Sequence, residues 1–538
     1  MKPSDTGIRK RLPQLALVFV LAALWDGHGI ERRSLTQDYV DPVSRIAAQD
    51  EGEYGHEAVR MALNGGWLTP LYMGRYRLNK PPLLQWLAAA SVRAFGIHAW
   101  PLRLPSLLAA SGTMTLVFWV VWRMHSLAAA LFAVLLLASS HLFYVFSHLA
   151  MTDMLLAFFV VLLLAILLLD PALERGSSLL LFGVAVGGAI LTKGAAGAVP
   201  LVALVLLGRR WSRAMKALAI AAAIVLPWYL YQLIVHPRWF WAEYVLTQHF
   251  AIGVAAPPQY SSENHLVFYA RRLFLMDPVL TLAALLALPL IPRIWKKRPA
   301  AVVFPAVLLL ALFAFRYRSA YYVLPLLPAL AVLAGEAFAA VPARIQMVLA
   351  TAVLACTVVK TAYPAATWGI PAAIEQPPPI NTALESYCSQ HRAADLILIA
   401  SDDQLFASVL PLYHLRYCLL AKPPSGTAHP PLDFAALGIS VTVPEFNRLP
   451  ELLPIWRARL AGFGLPSTAP VGTVITAGSM AEVQDLIAAH PDVDFWIPAS
   501  ILRGLSLTLV HRLEPAAGGF FLLAPDAATF TPARPCRL

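Results

Sequence analysis

Apolar runs about as long as a bilayer is thick recur through the first two thirds of the chain, each closed by a charge, a proline or a glycine. A helix needs about 20 largely apolar residues to cross a hydrocarbon core of about 30 Å. Runs of that kind begin near 12–29, 104–122, 126–146, 152–169, 178–192, 195–208, 214–235, 272–291, 300–315, 320–340 and 343–362, eleven in all. In lipid every backbone N–H and C=O must find its partner inside the protein, so such segments are helical. The expected fold is a polytopic α-helical membrane protein of about 11–13 transmembrane helices, with a small C-terminal α/β domain. Composition agrees: 59% of residues are hydrophobic, 13% are charged and the mean hydropathy is +0.65, which excludes a disordered chain and a soluble enzyme of ordinary make-up.

The net charge of +11 is unevenly placed. Residues 1–364 hold 31 Lys+Arg and 16 Asp+Glu, whereas residues 365–538 hold 10 and 14. The surplus belongs to the apolar part, so the basic balance points to a lipid bilayer and to no nucleic acid. Short basic loops stay on the cytoplasmic side. With the N-terminus (Lys2, Arg9, Lys10, Arg11) cytoplasmic, alternation of the spans puts Arg123, Arg175, the Arg209 to Lys216 cluster, the Arg293 to Arg298 cluster and Arg344 on that side too. An odd number of spans leaves the C-terminal region outside. The first run is also short enough for a cleaved signal peptide, although no small-x-small site follows it.

The membrane part is expected to occupy residues 1–364, with large external loops at 30–103 and 236–271 and an external α/β domain at 365–538. In the first loop, residues 50–64 open on acids, carry Tyr54, Ala58, Met61 and Ala62 at helical spacing and stop at Gly65-Gly66. Residues 81–95 begin with two prolines and are too short to span. Two helices lying at the surface fit both stretches. In the C-terminal region, 395–400, 472–478 and 493–498 read as strands and 480–490 as a helix. Cys388 and Cys418 form the pair to test for a disulfide, buried thiols being the other reading.

Acids are costly in a membrane protein and therefore informative. Between Ala58 and Pro364 there are seven: Asp153, Asp170, Glu174, Glu243, Glu263, Asp277 and Glu336. On the external side Asp50 and Glu51 open the first surface helix, and Asp153 opens a span. Each could simply stabilise a helix N-terminus. A second element favours function. Arg75, Arg77, Lys80, Arg271, Arg272, Arg316 and Arg318, with Tyr321 and Tyr322, fall on the same side, where cations are wrong for topology and right for a phosphate, carried by a substrate or by lipid headgroups.

The stretch DEGEYGHEAVRMALNGGWLTPLYMGRYRLNKPPLLQWLAAASVRAFGIHAWPLRLPS resembles the first periplasmic loop of the aminoarabinose transferase and protein mannosyltransferase-like glycosyltransferases, integral-membrane enzymes of the C-type superfamily. The order downstream is similar as well: TDMLL at 152–156, LTKG at 191–194 and the Tyr-Tyr-Val-Leu-Pro run from 321. The resemblance covers about residues 45–335. It implies transfer of a sugar from a polyprenyl phosphate carrier to a lipid A-like glycolipid or another envelope acceptor, at the periplasmic face of a bacterial inner membrane. By position, Asp50 matches the catalytic acid and Asp153 the second acid. Lys80 matches the lysine that meets the carrier phosphate, Tyr322 a tyrosine before the Leu-Pro pair, and Arg318 a position where lysine is usual. Glu51, Arg271 and Arg272 join these as expected substrate-binding residues. Three positions depart: Asn79 stands where an acid often precedes the KPP lysine, His148 where an arginine is common, and 243–254 lacks an arginine after its histidine.

Glycosyl transfer from a phosphate carrier needs a base for the acceptor's proton and cations for the departing phosphate. Asp50 is the expected base, and Lys80 with Arg318 the expected phosphate clamp. The phosphate is already a good leaving group, so no cofactor is required, although His249, His265, Glu243 and Glu263 are spaced loosely enough to admit a divalent cation. A transporter or flippase would explain the many spans but not 75 residues of external structure after the first. An O-antigen-type ligase would also need phosphate-facing arginines but leaves the acid-plus-KPP loop unexplained.

Overall fold

The computed structural model describes residues 11–32, 50–72, 75–96, 98–207, 211–237, 240–241, 243–245, 248–249, 264–315 and 318–363. It also describes strands at 396–399, 473–475, 494–498, 511–515 and 520–525, and residues 484 and 488. The chain is a polytopic helical membrane protein. Among the described residues seven helical segments are long and apolar enough to cross a bilayer: Ala99–Met124, Thr152–Leu169, Gly176–Lys193, Trp211–Val235, Pro278–Lys297, Ala320–Ala340 and Ala343–Ala362. An eighth arises if Leu127–Ala138 and His141–Ser147, bent by 71° to each other, are one span. The other expected runs form shorter apolar helices, Leu12–Gly27, Ala195–Leu207 and Pro299–Ala314.

The breaks have local causes. At the bend, the Ser140 hydroxyl accepts from the Phe143 N–H at 3.2 Å and starts a new helix. The run expected at 272–291 is divided at Asp277, because Pro278 cannot extend the helix His265–Met276 and instead opens the next one. Gly194, at φ +56°, ends Gly176–Lys193 in a conformation that favours glycine. At Gly197 the next short helix presses on the previous one so closely that a Cβ would run into the Ala189 carbonyl and lie 2.6 Å from the Ile190 nitrogen. Backbone cannot give way as a side-chain tip can. Gly197→Ala should therefore cost about 1–3 kcal/mol, read as a lower thermal midpoint of the detergent-solubilised protein.

The two helices expected in the first loop are present. Asp50–Asn64 carries Asp50, Glu51 and Glu53 in its first turn, and Gly65 and Gly66 at φ +78° and +76° close it. Leu83–Phe95 packs against it, and Ala58, Val59, Met61, Ala88, Ala89, Val92 and Leu102 share one buried cluster.

Residues that alternation assigns to the same side of the membrane come together in space. At one end of the bundle Arg298 donates to both Glu336 oxygens (2.9 and 3.0 Å), His125 Nε2 lies 2.9 Å from Glu336, and Arg213 donates to the Leu173 and Glu174 carbonyls. At the other end residues 79–81, 153, 193–196 and 244–249 meet 308–326 around a cavity.

The C-terminal strands pair into a five-stranded mixed sheet in the order Thr473–Ile475, Leu396–Ile399, Asp494–Pro498, Phe520–Pro525, His511–Pro515. The first two pairings are parallel and the last two antiparallel. Three of these strands match the expected ones, while the last two were not foreseen. Most of the expected helix at 480–490, together with Cys388, Cys418 and Cys536, lies outside the described residues.

Candidate active site

The cavity has a volume of about 150 Å³, a polar end and an apolar wall. Leu156, Val160, Val199, Leu308, Leu312, Phe315 and Leu326 make the wall. Asn79, Lys80, Asp153, Lys193, Tyr244, Gln248, His249 and Tyr322 supply the polar groups.

Lys80 is held by the strand-like segment before it. Arg77 pairs with Glu53 and lies 3.4 Å from Glu57 Oε1, while the Leu78 N–H donates to Glu243 Oε2 at 2.7 Å. These contacts fasten the segment both to the first surface helix and to residues 240–249. Glu57, buried and accepting from Gln85 Nε2 at 2.7 Å, is pushed up to about 8 by burial, with Arg77 pulling the other way. Lys80 Nζ donates to Gln248 Oε1 at 2.8 Å. Burial first, then the Lys193 ammonium, push Lys80 down to about 8, against the pull of Asp50 and Asp153.

A lysine with a lowered folded pKa opposes the fold while it carries its proton below about 8, and an anion bound beside it reverses that. Affinity for a phosphodiester anion, which has no titration of its own in this range, should fall as pH rises through about 8. The slope should reach about tenfold per pH unit. Binding titrations should show this slope in the wild type, none in Lys80→Arg, and weak, pH-independent binding in Lys80→Ala.

Asp153 sits in the first turn of Thr152–Leu169 and Lys193 is the last residue of Gly176–Lys193, so each charge suits its helix end. The two are ion-paired, and Lys193 Nζ lies 4.8 Å from the Tyr322 ring centre. Asp50, the first residue of its helix, accepts a long 3.5 Å contact from Tyr321 Oη and lies within electrostatic reach of Lys80 and Asp153.

Of the residues expected from sequence, Lys80, Asp153 and Tyr322 line the cavity, with Asp50 nearby. Glu51 turns elsewhere. It is fully buried, takes a two-pronged contact from Arg103 Nε (2.8 Å) and Nη2 (2.9 Å), and accepts from the Ala150 N–H at 2.8 Å. Arg271, Arg272 and Arg318 are not among the lining residues. Arg271 is exposed, whereas Arg272 is buried with its guanidinium 3.4 Å from the Phe268 ring centre and Arg318 is buried 5.5 Å from the same ring. His148 is buried away from the lining residues, its Nε2 3.0 Å from the His28 carbonyl at the end of the first helix.

Sequence reasoning passed over Lys193, although it is the one Lys or Arg between Arg175 and Arg209 and falls in a loop of the outer set. That is the signal used for the other external cations. Gln248 carries no such signal, because only the fold brings it to Lys80. No group of three or more His, Cys, Asp or Glu among the described residues is arranged to hold a metal ion. His249 Nδ1 lies 2.6 Å from the Tyr244 carbonyl, His265 Nε2 lies 2.9 Å from the Phe315 carbonyl, and Glu243 holds Leu78.

Residues 79–241 match the family model described as dolichyl-phosphate-mannose-protein mannosyltransferase. An undecaprenyl phosphate-alpha-4-amino-4-deoxy-L-arabinose arabinosyl transferase from Pseudomonas aeruginosa is 32% identical over 329 residues, 56% of this chain and 57% of its own length. An uncharacterized protein from Aquifex aeolicus is 34% identical over 90 residues, 22% of its length, so the chain matches only part of these relatives. The crystal structure of ArnT from Cupriavidus metallidurans bound to undecaprenyl phosphate has the same fold, with a TM-score of 0.57 at 18% identity over 97% of this chain and 99% of that one. A shared helical fold, a match over residues 79–241 and arabinosyl transferase relatives make this chain similar to the integral-membrane protein mannosyltransferases and aminoarabinose transferases.

Proposed function

We propose that the protein transfers a sugar from a polyprenyl phosphate carrier, of the undecaprenyl type, to a lipid A-like glycolipid or another cell-envelope acceptor. The reaction takes place at the periplasmic face of a bacterial inner membrane, with the N-terminus cytoplasmic and residues 365–538 folded as a periplasmic α/β domain around the described sheet. The observation that carries this reading is the cavity itself. Its apolar wall suits a prenyl chain, and Lys80 and Lys193 stand at its polar end, where the phosphate of such an amphiphile would lie.

The acceptor hydroxyl oxygen attacks the anomeric carbon, the bond from that carbon to the phosphate oxygen breaks, and the electron pair leaves with the phosphate. Lys80 stabilises the growing charge. Asp50 receives the acceptor's proton. Asp153, held by Lys193, orients the acceptor, and Tyr322 closes the site beside them. Glu51 acts as a positioning residue through Arg103, fixing the start of the helix that bears Asp50. Arg271, exposed outside the described cavity, suits the phosphate of the carrier or of lipid headgroups, whereas Arg272 and Arg318, buried beside Phe268, would act on the carrier only through the field of their charges.

Mass spectrometry of glycolipids from cells with and without the protein tests the reading. One added sugar mass on an envelope glycolipid, present only with the active protein, is expected. Identical glycoconjugate profiles with the protein inserted and abundant would overturn it.

A further inference from the structure

We infer that Asn79 selects the sugar on the carrier, and that it selects an uncharged, hydroxyl-bearing sugar over one bearing an ammonium group. The inference rests on the transferase reading and deepens it by naming the class of donor.

Asn79 lines the cavity immediately before Lys80 and is 6% exposed, yet its Oδ1 has no hydrogen-bond partner among the described residues. A buried amide oxygen left unpaired is costly, and a ligand that pairs it recovers that cost. The neighbouring polar groups are committed. Lys80 donates to Gln248, Asp153 is paired with Lys193, Tyr244 Oη shares a hydrogen bond with Tyr229 Oη, and His249 lies between the Tyr244 carbonyl and the Ala195 N–H. Asn79 thus holds unspent hydrogen-bonding capacity one residue from the lysine that meets the phosphate. The sugar is the part of the donor bonded to that phosphate.

The chemistry of a partner for Asn79 follows from charge. Among the described lining residues the formal charges are Lys80, Lys193 and Asp153; the Asp153 carboxylate is already engaged by Lys193, and the Asp50 carboxylate, outside the lining, offsets the charge of Lys80. An ammonium on the sugar would enter beside two lysines and meet a neutral amide, which does not offset the loss of its hydration. A sugar hydroxyl carries no such penalty. It both donates and accepts, and a primary amide offers one acceptor and one donor whichever way its oxygen and nitrogen are assigned.

The test uses the full-length protein in lipid nanodiscs and three carriers: undecaprenyl phosphate without sugar, with a neutral pentose or hexose, and with the corresponding 4-amino sugar. Displacement of labelled carrier gives affinity, and label on acceptor gives transfer. The wild type should bind the neutral-sugar carrier at least about tenfold more tightly than the amino-sugar carrier. Asn79→Ala should bring the neutral-sugar carrier to within about twofold of the sugar-free one, whose own affinity is unchanged, and Asn79→Asp should shift preference about tenfold toward the amino sugar. Equal or tighter binding of the amino-sugar carrier by the wild type overturns the inference. So does an Asn79→Ala loss shared equally by the sugar-free carrier. Discrimination in binding with no transfer from any carrier would instead overturn the transferase reading and leave the selectivity standing, so the two failures are distinct.

Discussion

Asp50→Asn removes sugar transfer while leaving the protein folded, inserted and able to bind its carrier. The substitution keeps the size of the side chain and its place at the helix start, but an amide oxygen is too weak a base to take the acceptor's proton. A positioned general base contributes about 10²–10⁴-fold, and the rate should fall by that amount in membranes containing equal protein. Affinity for the carrier should stay within about twofold, because the proposed contact with the phosphate is Lys80 rather than Asp50. The thermal midpoint should not move, since the contact Asp50 makes with Tyr321 is a long 3.5 Å one near the surface of the site. Full activity in Asp50→Asn would eliminate Asp50 as the base.

The next residue behaves in the opposite way. Glu51→Ala takes the carboxylate away from the Arg103 guanidinium, which is fully buried and has the Ile30 carbonyl among its other partners. Removing one member of a buried pair costs about 3–5 kcal/mol because the other charge stays behind without water. Glu51→Ala should therefore lower the amount of inserted protein and its thermal midpoint, with activity falling in proportion to the protein lost. Replacing both partners, as Glu51→Leu with Arg103→Met, should restore most of the stability, since an apolar pair of similar volume leaves no charge unpaired. Recovery of the midpoint by the double variant, read by thermal unfolding in detergent, separates a positioning role from substrate contact. If Glu51 instead held the substrate, the double variant would be stable and inactive.

These adjacent acids show what a sequence can and cannot convey. Both stand in the first turn of Asp50–Asn64, and the stop at Gly65-Gly66 and the apolar spacing through Tyr54, Ala58 and Met61 place that helix correctly from periodicity alone. Nothing in periodicity separates Asp50 from Glu51. That separation depends on Arg103, which is 52 residues away and arrives only when Ala99–Met124 packs beside the loop. Apolar length likewise places Thr152–Leu169 to the residue. It does not resolve the bend at Ser139-Ser140 or the break at Asp277-Pro278, because capping and proline chemistry cut an apolar run without changing its hydropathy.

Among the site residues, Lys80 and Asp153 are legible because charge is rare in this chain and each stands beside a recognisable motif. Lys193 is equally rare and equally placed, and reading it needed only the same argument applied once more. Gln248 and Asn79 are uncharged, and their importance lies in what their amides meet: an ammonium for one, and for the other no hydrogen-bond partner for its buried Oδ1 among the described residues. In the C-terminal region the strand His511–Pro515 carries a His, an Arg and a Glu in five residues, so neither alternation nor an apolar run announces it. Its pairing with Phe520–Pro525 is what defines it.

The central claim is that this cavity breaks the bond between a sugar and a polyprenyl phosphate. Purified protein reconstituted with undecaprenyl phosphate bearing a radiolabelled sugar and with envelope glycolipid tests it most directly, both products being followed in one reaction. The account predicts that label moves to the glycolipid as free undecaprenyl phosphate appears in equal amount, and that neither happens with Asp50→Asn. Label that stays on the carrier while the intact lipid-linked sugar crosses from one leaflet to the other would contradict it, and would make the protein a flippase built on the same fold.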